Sequence, residues 1–458
     1  MRKAGAFLTV LVCVLALGAA LPQTAHAQVQ GLYYQEAEKD GRIYVFNTPE
    51  AYKSWEASGE MGKSITLVGR GEGGKTVVAE NETAADLYFF KHNLPGYDRA
   101  TPKAEKLFDE RVFYKDGKTN IQMKTGTVQI SNRVQGRFTQ TDPEVGDGVG
   151  SFRIRRMKTT IEGDAYNKKV KFKLQANWVG GDVVTNVTQA SNGTVSQSRS
   201  RGPVLEDAEI SYAWNPMATL WVGQGKSYFG RQELTSSGRQ QFVDRSIASD
   251  RFSGLRQIGI GVNGSNSAKT FEYNLGLYNG NGINTTANDN DQYMIAGRAA
   301  WTPFGEFKLE ESAHDRPATP KLLLGAGYLQ NTTGTGTGER DIERLGAEVA
   351  FKWQGLNAVG EYYSETSKPP TGADLDTDGY YLQLGYLFPN NIELAARISE
   401  IAPDTATPQD RTETGLAFSW YFDKHNHKLQ ADYREIETEN SRGSVTDAEF
   451  RLQLQLIF

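Results

Sequence analysis

The sequence predicts an all-β fold, a 16-stranded antiparallel transmembrane β-barrel with a small N-terminal periplasmic α+β module, on three observations. The chain's last strand alternates, with Phe450, Leu452, Leu454, Leu456 and Phe458 on one face and Glu449, Arg451, Gln453 and Gln455 on the other. A strand with one oily and one wet face, ending on an outward aromatic residue, suits a barrel wall that must pair its last strand with its first. Second, sixteen such alternating segments follow one another from residue 127, and their connectors are alternately short and long. Third, beyond the first 27 residues no apolar run approaches the roughly 20 residues a spanning helix needs, and the mean hydropathy is −0.53. The 48 Gly, 21 Tyr, 21 Phe and 7 Trp against 15 Pro fit short strands, tight turns and aromatic belts.

Residues 1–27 read as an export signal: Arg2 and Lys3, an apolar run from Phe7 to Leu17, and Ala25-His26-Ala27 before Gln28. The only cysteine, Cys13, lies inside that run, so the exported chain has no thiol and no disulfide. Residues 28–118 read as a small periplasmic α+β module. Its elements are a strand at 41–47, a helix at 49–60, strands at 64–68 and 75–80, and a helix at 82–92, with a loose internal repeat. Residues 119–458 are the barrel.

The sixteen strands fall at 127–139, 151–165, 170–179, 204–214, 220–232, 257–264, 270–279 and 291–302, then at 321–330, 342–353, 356–364, 379–388, 391–400, 411–422, 427–436 and 447–458. Short turns on one rim and long loops on the other are the geometry of outer-membrane barrels, with short turns and both termini periplasmic. A soluble sandwich has no reason to keep that parity. One connector breaks it: 303–320 falls on a short-turn rim yet carries Glu306, Lys308, Glu310, Glu311 and His314 to Arg316, so a short helix or a miscounted strand is expected there. Along 170–177, Val170, Phe172, Leu174 and Ala176 face lipid, and Lys171, Lys173, Gln175 and Asn177 face a polar lumen. Sixteen strands are enough for an aqueous channel.

The runs Phe152-Arg-Ile-Arg-Arg156, Leu205-Glu-Asp-Ala208 and Val222-Gly-Gln, with Lys226 and Phe229-Gly-Arg231, continue through Glu233-Leu-Thr-Ser-Ser237, Phe242-Val-Asp-Arg-Ser246, Ala248-Ser-Asp250 and Arg256-Gln-Ile-Gly259. In this order and spacing they resemble the phosphate-selective porin O and P family. The resemblance implies a homotrimeric porin of the outer membrane, a water-filled diffusion channel for small anionic or polar solutes, whose third long loop folds inward to narrow the pore. The connector from Glu233 to Arg256 has the right place and length for that loop.

Residues 151–260 hold 16 Lys or Arg against 9 Asp or Glu, a net of +7 in a chain of net charge −5. Cations gathered in a lumen with low-dielectric walls raise the local anion concentration, so the channel is expected to lean toward anions. The expected pore-lining and constriction residues are Arg153, Arg155, Lys171, Lys173, Lys226, Arg231, Arg239, Arg245, Arg251 and Arg256.

Other motifs carry little. Gly69 to Thr76 satisfies the phosphate-loop pattern, but Val77-Val78-Ala79 after it reads as strand where a helix is required, so a glycine-rich hairpin turn is expected. Asp374, Asp376, Asp378 and Gly379 begin like a calcium loop, yet the twelfth position is Gly385, so the stretch reads as a solvated acidic loop. His425 and His427 lack further ligands nearby and are expected to be exposed. No nucleophile motif marks an enzyme, and no cofactor, metal or nucleic acid is implied. Two alternatives use the same fold: a barrel enzyme or adhesin, and a structural link between outer membrane and cell wall through contact of residues 28–118 with peptidoglycan.

Overall fold

The structure is a computed structural model that describes residues 33–96, 112–179, 184–189, 195–199, 202–285, 287–406 and 409–458. The export signal expected at 1–27 lies outside these residues. The chain divides into two compact units, Met1–Glu105 and Lys106–Phe458.

In the first unit, strands β1 (Gln35–Lys39), β2 (Arg42–Phe46), β3 (Ile65–Leu67) and β4 (Thr76–Ala79) form one sheet in the order β1-β2-β4-β3, with helices α1 (Pro49–Ser58) and α2 (Glu82–Lys91). Alternation in β2 and β4 sends Ile43, Val45, Val77 and Ala79 to one face, where α2 covers them with Ala84, Ala85, Tyr88 and Phe89. Each helix starts at a side-chain cap: Thr48 Oγ1 accepts from the Ala51 amide at 3.3 Å and Asn81 Oδ1 from the Ala84 amide at 3.0 Å. The repeat expected from sequence corresponds to β2 and β4 lying parallel with Ile43 opposite Val77. The glycine-rich stretch 69–75 links antiparallel strands β3 and β4, and Lys75 pairs with Glu38 at 2.7 Å.

In the second unit a hairpin, β5 (Val112–Lys115) and β6 (Lys118–Met123), leads into the barrel. The wall strands are β7 (Gly126–Asp142), β8 (Val149–Ala165), β9 (Val170–Asn177), β12 (Val204–Asn215), β13 (Ala218–Lys226), β14 (Arg256–Ser265), β15 (Phe271–Tyr278), β16 (Met294–Trp301), β17 (Lys321–Thr333), β18 (Arg340–Trp353), β19 (Leu356–Lys368), β20 (Leu375–Leu387), β21 (Ile392–Pro403), β22 (Arg411–Asp423), β23 (His427–Asn440) and β24 (Gly443–Ile457). Between β9 and β12, β10 (Val184–Gln189) and β11 (Val195–Arg199) pair as a separate hairpin. Every neighbouring pair in the wall is antiparallel, and β24 closes on β7 with Leu456 opposite Val134 and Leu452 opposite Phe138. The first half of β7 pairs instead with β6, Ile121 opposite Val128, so this hairpin belongs to the barrel sheet.

The wall is inside out relative to a soluble protein. On β21, Leu394 and Ile398 are exposed while Glu393 and Arg397 are buried; on β24, Leu454, Leu456 and Phe458 are exposed while Arg451, Gln453 and Gln455 are buried.

Four expectations are corrected. The strand expected at 220–232 ends at Lys226, where the chain leaves the wall and enters the lumen through helices α3 (Arg231–Leu234) and α4 (Ile247–Phe252). Residues 303–320 form neither a helix nor a strand. They make an irregular strap that buries Phe307 and Glu311 to Ala313, and the strap's polar groups find partners inside the barrel, where regular structure is not needed to satisfy them. His425 is buried, not exposed: its turn tucks inward, its carbonyl accepts from Gln455 Nε2 at 2.5 Å, and its ring meets that of His314 at 4.8 Å. The calcium-like stretch is strand from Leu375 on, with Asp376 accepting from Thr366 and Asp378 from Tyr362 across to β19.

Candidate pore constriction

The connector between β13 and β14 carries apolar anchors that a surface loop would not hold: Phe229, Phe242, Val243, Ala248 and Phe252 are all fully buried. Its backbone amides would be orphaned inside the barrel unless the wall supplied acceptors, and the wall does. Glu361 accepts from the amides of Arg231 and Gln232 at 2.6 and 2.7 Å, Asp432 from Val243 at 3.0 Å, Glu413 from Ile247 at 2.9 Å and Ser399 from Ala248 at 3.2 Å. Strands β19, β21, β22 and β23 therefore hold the loop by side-chain acceptors facing inward.

The strap at 303–320 meets the loop. Glu311 accepts from Gln232 Nε2, from the Gln241 amide and from Gln383 Nε2, each at 2.9 Å, and its own amide donates to the Arg239 carbonyl at 3.0 Å. Arg231, fully buried, donates to the Lys308 carbonyl at 2.8 Å and lies 4.9 Å from the Phe307 ring. Loop and strap together fill the half of the lumen beside these strands.

The loop tip is fixed by charge. Asp244 accepts a bidentate contact from Arg137 at 2.6 and 3.1 Å, and Arg155, Arg156 and Arg451 each approach it to 3.3 Å. Arg397 donates to the Asp244 carbonyl at 3.0 Å and stacks on Phe242 at 4.1 Å.

The other half of the lumen, between the loop and the wall formed by β7 to β9 and β12 to β14, holds a cavity of about 170 Å³. Its charged lining is Arg133, Arg156, Lys158, Lys173, Lys226, Arg245 and Arg256 against Glu206, Asp207, Glu233 and Asp250. Ion pairs bind most of these: Lys158 with Glu206 at 2.6 Å, Lys173 with Asp207 at 2.6 Å, Arg256 with Asp207 at 2.7 Å, and Arg245 with Glu233 at 3.0 Å. Seven cations against four carboxylates leave the cavity lining with more positive than negative side chains.

Of the residues expected from sequence, Lys173, Lys226, Arg245 and Arg256 line this cavity. Arg155 joins the Asp244 cluster, Arg153 is exposed on the same strand, and Lys171 borders a neighbouring cavity with Glu162, Asp164 and Glu209. Arg231, Arg239 and Arg251 lie elsewhere: Arg231 under Phe307, Arg239 exposed, and Arg251 on Glu365 at 2.7 Å. Arg133, Arg156 and Lys158 were missed. A register shift places Gln135 opposite Arg156 and Gly136 opposite Ile154, so the strand bulges at Arg155 and the alternation slips by one. Arg156 and Lys158 thereby turn inward. Arg133 shares a register with Gln135 and Arg137, and that alternation was readable.

Fold and constriction define an outer-membrane diffusion channel of the porin class. The chain belongs to the phosphate-selective porin O and P family, whose pattern matches residues 128–458. Comparison with curated sequences finds no match. Among solved structures, the anion-selective porin from Comamonas acidovorans is similar with a TM-score of 0.52 at 13% identity, over 73% of this chain and 100% of that one. The outer-membrane channel DcaP of Acinetobacter baumannii is similar with a TM-score of 0.51 at 12% identity, over 74% of this chain and 99% of that one. At such identities the likeness is one of fold.

Proposed function

We propose that this porin is an anion-leaning channel for small hydrophilic solutes, acting as a homotrimer with its termini and N-terminal module in the periplasm. The excess of seven cations over four carboxylates around the cavity carries this reading. Low-dielectric walls focus that charge where solutes pass closest to it, which favours entry of anions and slows cations. The fold it shares with an anion-selective porin accords with the reading. The even strand number supports placing both barrel ends on one rim, and the short-turn rim of such barrels faces the periplasm. Reversal potentials of the refolded protein in a KCl gradient test the selectivity: a chloride-leaning potential is expected, and a clear potassium preference would overturn it. Cross-linking in outer-membrane vesicles tests the trimer.

A further inference from the structure

Among its described lining residues the cavity carries three apolar side chains beside its cations: Leu234, Leu255 and Ile283. They come from separate stretches of chain, and for two of them the backbone is fixed by the wall. Leu255 has φ +56°, a left-handed conformation that leucine rarely adopts. Its carbonyl accepts from the Ser227 amide at 2.9 Å and from the Ser227 hydroxyl at 3.1 Å. The preceding residue lies so close to the wall that a Cβ on Gly254 would meet Ser227 Oγ at 2.1 Å and Leu329 Cδ1 at 2.7 Å. With the backbone pinned to the end of β13, the Leu255 side chain is left to the cavity. Ile283 belongs to the connector between β15 and β16, whose tip is also tied to the inner wall. Gln257 Oε1 accepts from the Gly282 amide at 2.8 Å, and Gln224 Oε1 accepts from the Asn284 amide at 2.6 Å. Held on both sides, Ile283 packs on Val204 and closes the cavity. Leu234 is the last residue of α3.

We infer that the cavity selects amphiphilic organic anions, which lay a carboxylate, sulfonate or phosphate ester on the cations and an apolar body on Leu234, Leu255 and Ile283. This deepens the anion-leaning reading above and rests on it. An inorganic anion keeps its water and gains nothing from these side chains, whereas an aliphatic or aromatic body gains by leaving water against them. Attraction by the cations is common to both kinds of solute, so the apolar side chains set the preference between them.

The test is block of the chloride current through the full exported chain in planar bilayers by methane-, butane- and hexanesulfonate, which stay charged and do not cross as neutral acids. Each methylene taken fully out of water is worth roughly fourfold in affinity, so with partial burial hexanesulfonate should block roughly tenfold more tightly than methanesulfonate. Leu255→Asn should bring that ratio below about threefold, since it removes apolar surface while placing at a left-handed position a residue that accepts it. Leu255→Met should keep the dependence on chain length. Ile283→Asn, on a different connector, should weaken the dependence as well, which keeps the inference open to refutation if one variant fails to assemble. Equal block by all three sulfonates in the wild type would overturn the inference, and so would a dependence on chain length that survives in the variants that assemble. A wild-type channel that prefers potassium over chloride would instead sink the anion-leaning reading itself.

Discussion

Replacing Asp244 by asparagine removes the one carboxylate shared by Arg137, Arg155, Arg156 and Arg451 while leaving the side chain's volume almost unchanged. The bidentate contact with Arg137 is the strongest of these, at 2.6 and 3.1 Å. Breaking one side of a buried ion pair costs about 3–5 kcal/mol, because the partner charges stay buried without compensation. Only the loop tip should feel this, since the rest of the loop keeps its acceptors on Glu361, Asp432 and Glu413. With about 1.4 kcal/mol for each factor of ten, a cost of about 3–5 kcal/mol raises the population of a displaced tip by roughly 10²–10⁴. Single-channel recording should show a larger mean conductance, more open-channel noise and a stronger anion preference, with the barrel still resistant to detergent denaturation. Conductance, noise and selectivity all indistinguishable from wild type would refute the view that Asp244 fixes the tip.

Three further outcomes follow from the same contacts. Glu311→Gln replaces an oxygen that accepts from both Gln241 N and Gln383 by an amide nitrogen, or else turns that nitrogen on Gln232. The mismatch should cost about 1–3 kcal/mol and increase conductance as the strap loosens from the loop. Gly223 has φ +132° and its added Cβ would lie 2.0 Å from the Ala208 carbonyl oxygen, so Gly223→Ala should lower the detergent heat-dissociation temperature measurably. In the N-terminal module, Glu36 accepts from Tyr34, Lys91 and His92. The Glu36 hydrogen bond raises the His92 pKa above its ordinary 6.5, while on Glu36 the opposing effect of burial is outweighed by those three donors and its pKa falls below 4.5. A raised His pKa stabilises the fold below about pH 6.5 and the benefit fades as pH rises through the raised value; a lowered Glu pKa stabilises above about pH 4.5 and fades in stronger acid. Hydrogen-exchange protection of the 82–91 amides in the full chain, each rate taken relative to its intrinsic rate at the same pH, should therefore be greatest between these limits, and His92→Asn should flatten that dependence by on the order of 0.5 kcal/mol.

Strand number and inside-outside pattern were legible in the chain, because a period of two is a local property that needs no knowledge of neighbours. Lys173, Lys226, Arg245 and Arg256 were legible as inward-facing residues of the cavity lining for a similar reason: they sit at inward register or on the long inward connector. Arg156 and Lys158 were hidden by a one-residue bulge at Arg155, since a slip of one flips every later side chain and no local signal marks it. Arg231 and Arg251 show the opposite failure. Their charge suggested the pore, but Phe307 and Glu365, distant in sequence, claimed them.

By itself the sequence determined that this chain makes a closed antiparallel barrel with a polar lumen, because lipid outside and unpaired backbone groups at any edge leave alternating strands no other solution. Only the tertiary structure decided which side chains meet around the cavity beside the loop. Which cations are neutralised and which stay bare depends on carboxylates brought from a loop, a strap and opposite strands, and such long-range pairing leaves no trace in the local pattern of residues.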